Sequence, residues 1–179
     1  SMTQLNSNIT KQHYSTGLYD ISYNTSTSPA TSDVWKLFDN NNSTFWDSEA
    51  VFTNGSAINN QSIEVMQTIV SIDNTNYSVA ETATTISGEI ISIELPEFWR
   101  MKYYGFKRYS SDSNDNMPSE WYILGWDNPN WYLLDHKDLS ENKYTDEYTY
   151  FPVDISNNYG NNVYKKFRFI LKNKYLTYK

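Results

Sequence analysis

The side chains best equipped for chemistry are oxygen donors in two polar turns. Residues 34–48 read V-W-K-L-F-D-N-N-N-S-T-F-W-D-S, so Trp35, Leu37 and Phe38 on one side and Phe45 and Trp46 on the other bracket the polar run 39–44. Asp39, Asn42 and Thr44 offer carboxylate, amide and hydroxyl oxygens beside irregular backbone carbonyls, the hard-donor set that Ca²⁺ prefers. The same residues also suit a plain turn closed by Asx and Ser/Thr side-chain hydrogen bonds. Residues 110–118, S-S-D-S-N-D-N-M-P, make a second such loop, whose acids and amides can meet a polyol or a cation, or simply face water.

Covalent chemistry finds little footing. His13 and His136 are the only histidines, they lie far apart in sequence, and no nucleophile-elbow serine accompanies them. The chain has 21 acidic residues, which leaves room for the carboxylate pair of a glycoside hydrolase, yet nothing singles out two of them. Walker and dinucleotide-binding patterns are absent. The expectation is a protein that is not an enzyme, with a glycosidase or an accessory domain of one as the remote alternative.

What must position such groups is a β scaffold. Residues 119–135, S-E-W-Y-I-L-G-W-D-N-P-N-W-Y-L-L-D, set two aromatic and β-branched runs around Gly, Asp, Asn and Pro, the sequence form of a β-hairpin. Trp121 and Ile123 share one face and Tyr122 and Leu124 the other, while Trp131 and Leu133 oppose Tyr132 and Leu134. Both faces are therefore partly apolar, as a central strand pair in a two-layer sandwich requires. Residues 88–95, G-E-I-I-S-I-E-L, alternate with Ile91, Ile93 and Leu95 on one face and Ile90 on the other, and Pro96 is expected to end that strand. Further strands are read at 17–23, 101–109, 151–155 and 164–171, with a charged connection over 139–150. The soft stretch 49–87 reads as a hairpin plus mobile loop around one apolar run, 63–72, and residues 1–16 show no period and read as an arm or linker.

Composition agrees with this class. Aromatic residues make up 17% of the 179 residues, set among Asn, Ser and Thr, which are mediocre helix formers but suit short strands and polar loops. All-β is the expected fold, with 17–179 as one domain. The formal charge of −7 disfavours nucleic acid and anionic membrane surfaces, although basic runs at 100–107 and 165–174 stand out from that average. With no Cys there is no disulfide framework or thiolate metal site. Neither a signal peptide nor an apolar run long enough for membrane insertion is visible.

Four pieces, in order, resemble the coagulation-factor type C, or discoidin, domain of the galactose-binding-like superfamily. They are V-W-K-L-F-D-N-N-N-S-T-F-W-D-S, then G-E-I-I-S-I-E-L-P at 88–96, then P-S-E-W-Y-I-L-G-W-D-N-P-N-W-Y-L-L-D at 118–135, then Y-K-K-F-R-F-I-L at 164–171. Asn40 stands where that family usually has Gly, Trp126 where it has Ser, and 49–87 is longer than the usual connection. The family also closes on a further strand whose Glu helps hold the cation. That strand would begin where this sequence stops, at Lys179, so the resemblance implies a piece of a longer chain or a sheet completed differently.

The resemblance implies a jelly-roll β-sandwich of about eight antiparallel strands, with variable loops at one end that bind glycans, lipid head groups or proteins. Mapped by position, those loops are 24–33, 49–87 and 110–119. Sugar rings present C–H faces to aromatic rings and hydroxyl edges to amides, carboxylates and guanidinium groups. The ligand-binding candidates are accordingly the aromatics Phe52, Tyr77 and Tyr109, with Arg108, Asp112, Asn114 and Asn116 near Tyr109; the loop of Tyr109 is favoured because it follows a strong strand. The function expected is a carbohydrate- or host-surface-receptor-binding module at a cell surface or on a virion, working as one copy in a multivalent assembly. Heavy use of Asn, Lys, Tyr and Ile points to an AT-rich genome, such as that of a virus or phage. The alternative is an architectural virion or tail domain with no small ligand.

Overall fold

A computed structural model describes residues 3–8, 11–15, 20–24, 34–38, 52–57, 62–72, 77–108, 117–141, 143–145, 148–154, 159 and 162–175. Among them the chain forms thirteen strands and one 3₁₀ turn, Val34–Phe38. The strands are β1 (Thr3–Asn8), β2 (Lys11–Ser15), β3 (Asp20–Asn24), β4 (Phe52–Thr53), β5 (Ser56–Ala57), β6 (Ser62–Ile72) and β7 (Tyr77–Ser87). They continue with β8 (Glu89–Trp99), β9 (Tyr103–Lys107), β10 (Pro118–Asp127), β11 (Asn130–Asp138), β12 (Tyr148–Pro152) and β13 (Tyr164–Lys174).

The chain is an all-β sandwich. Its large sheet runs β1-β2-β3-β8-β13-β10-β11-β6-β7, and β12 with β9 makes a second, small sheet. Short β5 adds to the end of β13 through Asn173 and Ser56, and its hairpin with β4 turns on Asn54 and Gly55, both at positive φ (51° and 79°). Asn and Gly tolerate that left-handed backbone best. Neighbouring strands pair antiparallel except β11 and β6, which meet in parallel at Tyr132 and Met66.

The β10–β11 hairpin sits at the centre, with β13 on its other flank. Its faces separate as alternation predicts. Trp121, Ile123, Tyr132 and Leu134 join the main core, together with Ile21, Ile91, Ile93, Phe167 and Leu171 of the large sheet and Tyr104, Phe106 and Phe151 of the small one. Tyr122, Leu124, Trp131 and Leu133 face the other way, into a second cluster with Val65, Ile86, Ile90 and Ile170. The bulge at Leu134 lets both arms keep their apolar faces aligned, because one extra residue on β11 restores the register between Ile123 and Leu124.

Several expectations are corrected. The sheet reaches into the stretch read as an arm, since β1, β2 and β3 form consecutive antiparallel pairs leading to β8. Strand β8 runs through Pro96 to Trp99. Pairing with β3 stops at Glu94 and the β13 register jumps from Glu94 to Trp99, so Pro96 falls where no ladder bond needs its missing N–H. The stretch 49–87 holds the β4–β5 hairpin and two strands of 11 residues each rather than one hairpin and a loop. Residues 148–150, read as connection, belong to β12. The count of thirteen strands, one pair parallel, exceeds the expected eight antiparallel strands.

Candidate binding surface

The small sheet is built from two strands with aromatics on both faces. β9 reads Y-Y-G-F-K and β12 reads Y-T-Y-F-P, paired so that Tyr148 opposes Lys107, Tyr150 opposes Gly105 and Pro152 opposes Tyr103. Period two sends Tyr104, Phe106 and Phe151 toward the large sheet. It leaves Tyr103, Gly105, Lys107, Tyr148, Tyr150 and Pro152 on the outer face.

The inner face is held by ring packing and a buried polar chain. The Trp121 ring lies 4.9 Å from Phe151 and 5.2 Å from Phe106, both edge to face, and Tyr104 stacks on Phe151 at 5.9 Å. The Trp121 indole N–H donates to the Tyr104 oxygen at 2.8 Å, and the Tyr104 hydroxyl donates to Asp135 Oδ2 at 2.7 Å. Lys137 Nζ closes the chain on Asp135 Oδ1 at 2.6 Å. Burial first and the Asp135 charge next push the Tyr104 hydroxyl far above the ordinary tyrosine range, so it stays a proton donor. β9 is thereby tied to β10 and β11 through side chains rather than through a shared ladder.

The outer face is open. Tyr103 is 66% exposed, Tyr150 61% and Tyr148 42%. Tyr148 and Tyr150 lie near parallel (27°) with centroids 5.9 Å apart, and Tyr103 stands edge-on to Tyr150, also at 5.9 Å. A Cβ on Gly105 would meet Tyr150 ring carbons at 2.9 and 3.1 Å, so the absence of a side chain there lets the Tyr150 ring lie across the neighbouring strand. Lys107 Nζ sits 5.5 Å from the Tyr148 ring centre, within cation–π reach. At the Pro152 end the platform borders a cleft of about 680 Å³ lined by Leu133, Asp135, His136, Lys137, Pro152, Val153 and Asp154. Rings with hydrophilic groups beside them can stack a flat amphipathic ligand and hydrogen-bond its edge.

Two other polar clusters lie on the opposite face of the large sheet. Glu120 Oε1 accepts from Lys172 Nζ (2.8 Å) and the Tyr122 hydroxyl (3.0 Å), with His136 Nε2 at 3.3 Å, and Oε2 accepts from Asn173 Nδ2 at 2.5 Å. His136 stacks flat on Tyr122 at 4.2 Å. Farther along, the Arg168 guanidinium lies 4.2 Å over Trp131, and its Nε donates to Ser92 Oγ at 3.1 Å. Each reads as a satisfied structural contact between strands.

The residues anticipated for binding scatter. Arg108 directly follows Lys107 at the end of β9 and is half-buried. Phe52, expected to be exposed, is half-buried against the main core with Lys174 Nζ 5.9 Å from its ring, because the β4–β5 hairpin docks on the end of β13. Tyr77 opens β7 opposite Ile72, in the large sheet and not on β9 or β12. Tyr109, Asp112, Asn114 and Asn116, and the cation ligands Asp39, Asn42 and Thr44, lie outside the described residues. Tyr103, Tyr148 and Tyr150 were missed. The available signal was two strands with large aromatics at both odd and even positions, since a two-stranded sheet can bury only one of its faces against the core.

No family model matches the chain, and no curated protein matches it either.

Proposed function

We propose that this protein is a non-catalytic glycan-binding module whose contact surface is the outer face of β9 and β12. The observation that carries the reading is the row of Tyr103, Tyr150 and Tyr148, 42% to 66% exposed on strands whose opposite faces are locked into the core. Large solvent-exposed rings cost hydration free energy, and a contiguous set of them marks an interaction surface. Their rigid mounting lowers the ordering cost of binding. The discoidin-like sequence pieces support the same reading, and with it a place at a cell surface or on a virion. A broad glycan array is the test, followed by titration of any hit. Tyr150→Ala should lower affinity at least tenfold with an unchanged melting temperature, and unchanged binding would move the site off this face.

A second reading, an architectural domain, has its own observation. Phe98 (68% exposed), Trp99 (57%) and Val163 (52%) gather where β8 ends beside the start of β13, with Trp99 opposite Tyr164. An apolar set of that kind suits a protein contact. Concentration-dependent assembly abolished by Trp99→Ser, with no glycan bound by the parent, is the outcome that favours it.

A further inference from the structure

The chain is acidic, but its aromatic platform is framed by cations. Residues 98–108, F-W-R-M-K-Y-Y-G-F-K-R, hold Arg100, Lys102, Lys107 and Arg108 and no acid, a charge of +4 against −7 for the whole chain, so the remainder carries −11. Arg100 and Lys102 are exposed just before β9, and Lys107 and Arg108 are half-buried at its far end. Cations therefore stand at both ends of a tyrosine row roughly 13 Å long, from the rise of a five-residue strand. Acids adjoin this frame in chain order and through strand contacts, Glu97, Asp154 and Asp135 among them. Glu97 is exposed on the end of β8. Asp154 follows Val153, whose N–H bonds the Lys102 carbonyl at 3.0 Å. Asp135 is buried and engaged by Lys137 and Tyr104. Neutral sugars give no reason to set cations at both ends of a tyrosine row in so acidic a protein, whereas an anionic partner is drawn there; in the other basic run, 164–174, Lys166 and Lys172 are paired with Glu94 and Glu120.

We infer that the ligand is an acidic polysaccharide, whose sugar faces stack on Tyr103, Tyr150 and Tyr148 while carboxylate or sulfate groups meet Lys102 and Lys107. This rests on the glycan reading above and adds the charge class to it. Single-stranded nucleic acid uses the same pairing of rings and cations. The polysaccharide is favoured because a net −7 chain repels a long, densely charged phosphate backbone more strongly than a sugar chain with sparser charges.

The experiment measures binding of polygalacturonate and alginate fragments, each beside its carboxyl-reduced neutral form, with heparin fragments and a 15-nucleotide oligothymidylate as further probes. At least one acidic glycan should bind about tenfold more tightly than a neutral one, and that margin should shrink as NaCl rises from about 50 to 500 mM. The Lys102→Gln/Lys107→Gln pair should erase most of the margin, lowering affinity for the acidic glycan several-fold more than for its carboxyl-reduced form. Tyr150→Ala should weaken acidic and neutral forms alike. Equal binding of charged and reduced forms overturns the inference and leaves the glycan reading standing. No binding of any glycan overturns both. Oligothymidylate bound as tightly as the best acidic glycan overturns the inference in favour of nucleic acid.

Discussion

At the scale of single residues, Glu120 shows how a buried charge is held by its donors. Burial alone would raise its carboxyl. The Lys172, Tyr122 and His136 contacts outweigh that effect, so the group titrates below the ordinary glutamate value of 4.5. A depressed folded-state value gives stability that is present above the unfolded pKa, about 4.3, and is lost as pH falls through the folded one. Glu120→Gln should therefore destabilise the protein at pH 6 and cost progressively less toward pH 3. The check is chemical denaturation of both forms across that range; parallel curves would mean the four donors do not discriminate the charged state. None of this was legible beforehand. Glu120, Tyr122, His136 and Lys172 come together from three strands, and single-sequence reading gives alternation within a strand but not the register between strands.

At the scale of elements, the central hairpin was legible because its own alternation assigns every large side chain to a face. The two tryptophans that looked equivalent in sequence are not equivalent in the fold. Trp121 has 0% exposure and touches Phe106, Phe151 and Tyr104, so Trp121→Ala should cost about 3–5 kcal/mol. Trp131 is half-buried in the second cluster, and its ring carries the Arg168 guanidinium, whose own burial lowers that side chain's pKa. Trp131→Ala should cost only about 1–2 kcal/mol, a partial burial plus a cation–π contact. Urea melts of the two variants check the order, and an equal loss would contradict the two-cluster description. The strand β7, S-V-A-E-T-A-T-T-I-S after Tyr77, was less legible. Its Thr residues suit a strand, but Ile86 is its single described buried hydrophobe, and its partner β6 supplies the pattern that orders it.

At the scale of the whole molecule, the platform's openness sets the kind of binding it can support. Rings standing on the outer face of a two-stranded sheet enclose a ligand on one side only, so one module buries little of a sugar chain, and the expected Kd for a short oligosaccharide is on the order of 0.1–1 mM. The fold leaves room to compensate by number. The binding strands β9 and β12 form their own sheet, while the edges of the large sheet, β1 and β7, lie elsewhere in the strand order and take no part in the platform. Neighbouring copies can therefore attach through other surfaces without covering the tyrosines. Fusion to a trimerising coiled coil should raise apparent affinity for a glycan-coated surface by about 10²–10⁴, provided the linkers let three platforms reach the surface together. Affinity per module for a soluble short oligosaccharide should stay the same. Surface plasmon resonance on dense glycan, beside calorimetry with the soluble fragment, separates the two quantities. A trimer no better than the monomer on the dense surface, with long flexible linkers in place, would show that the platforms do not face a common plane or do not bind the coat at all.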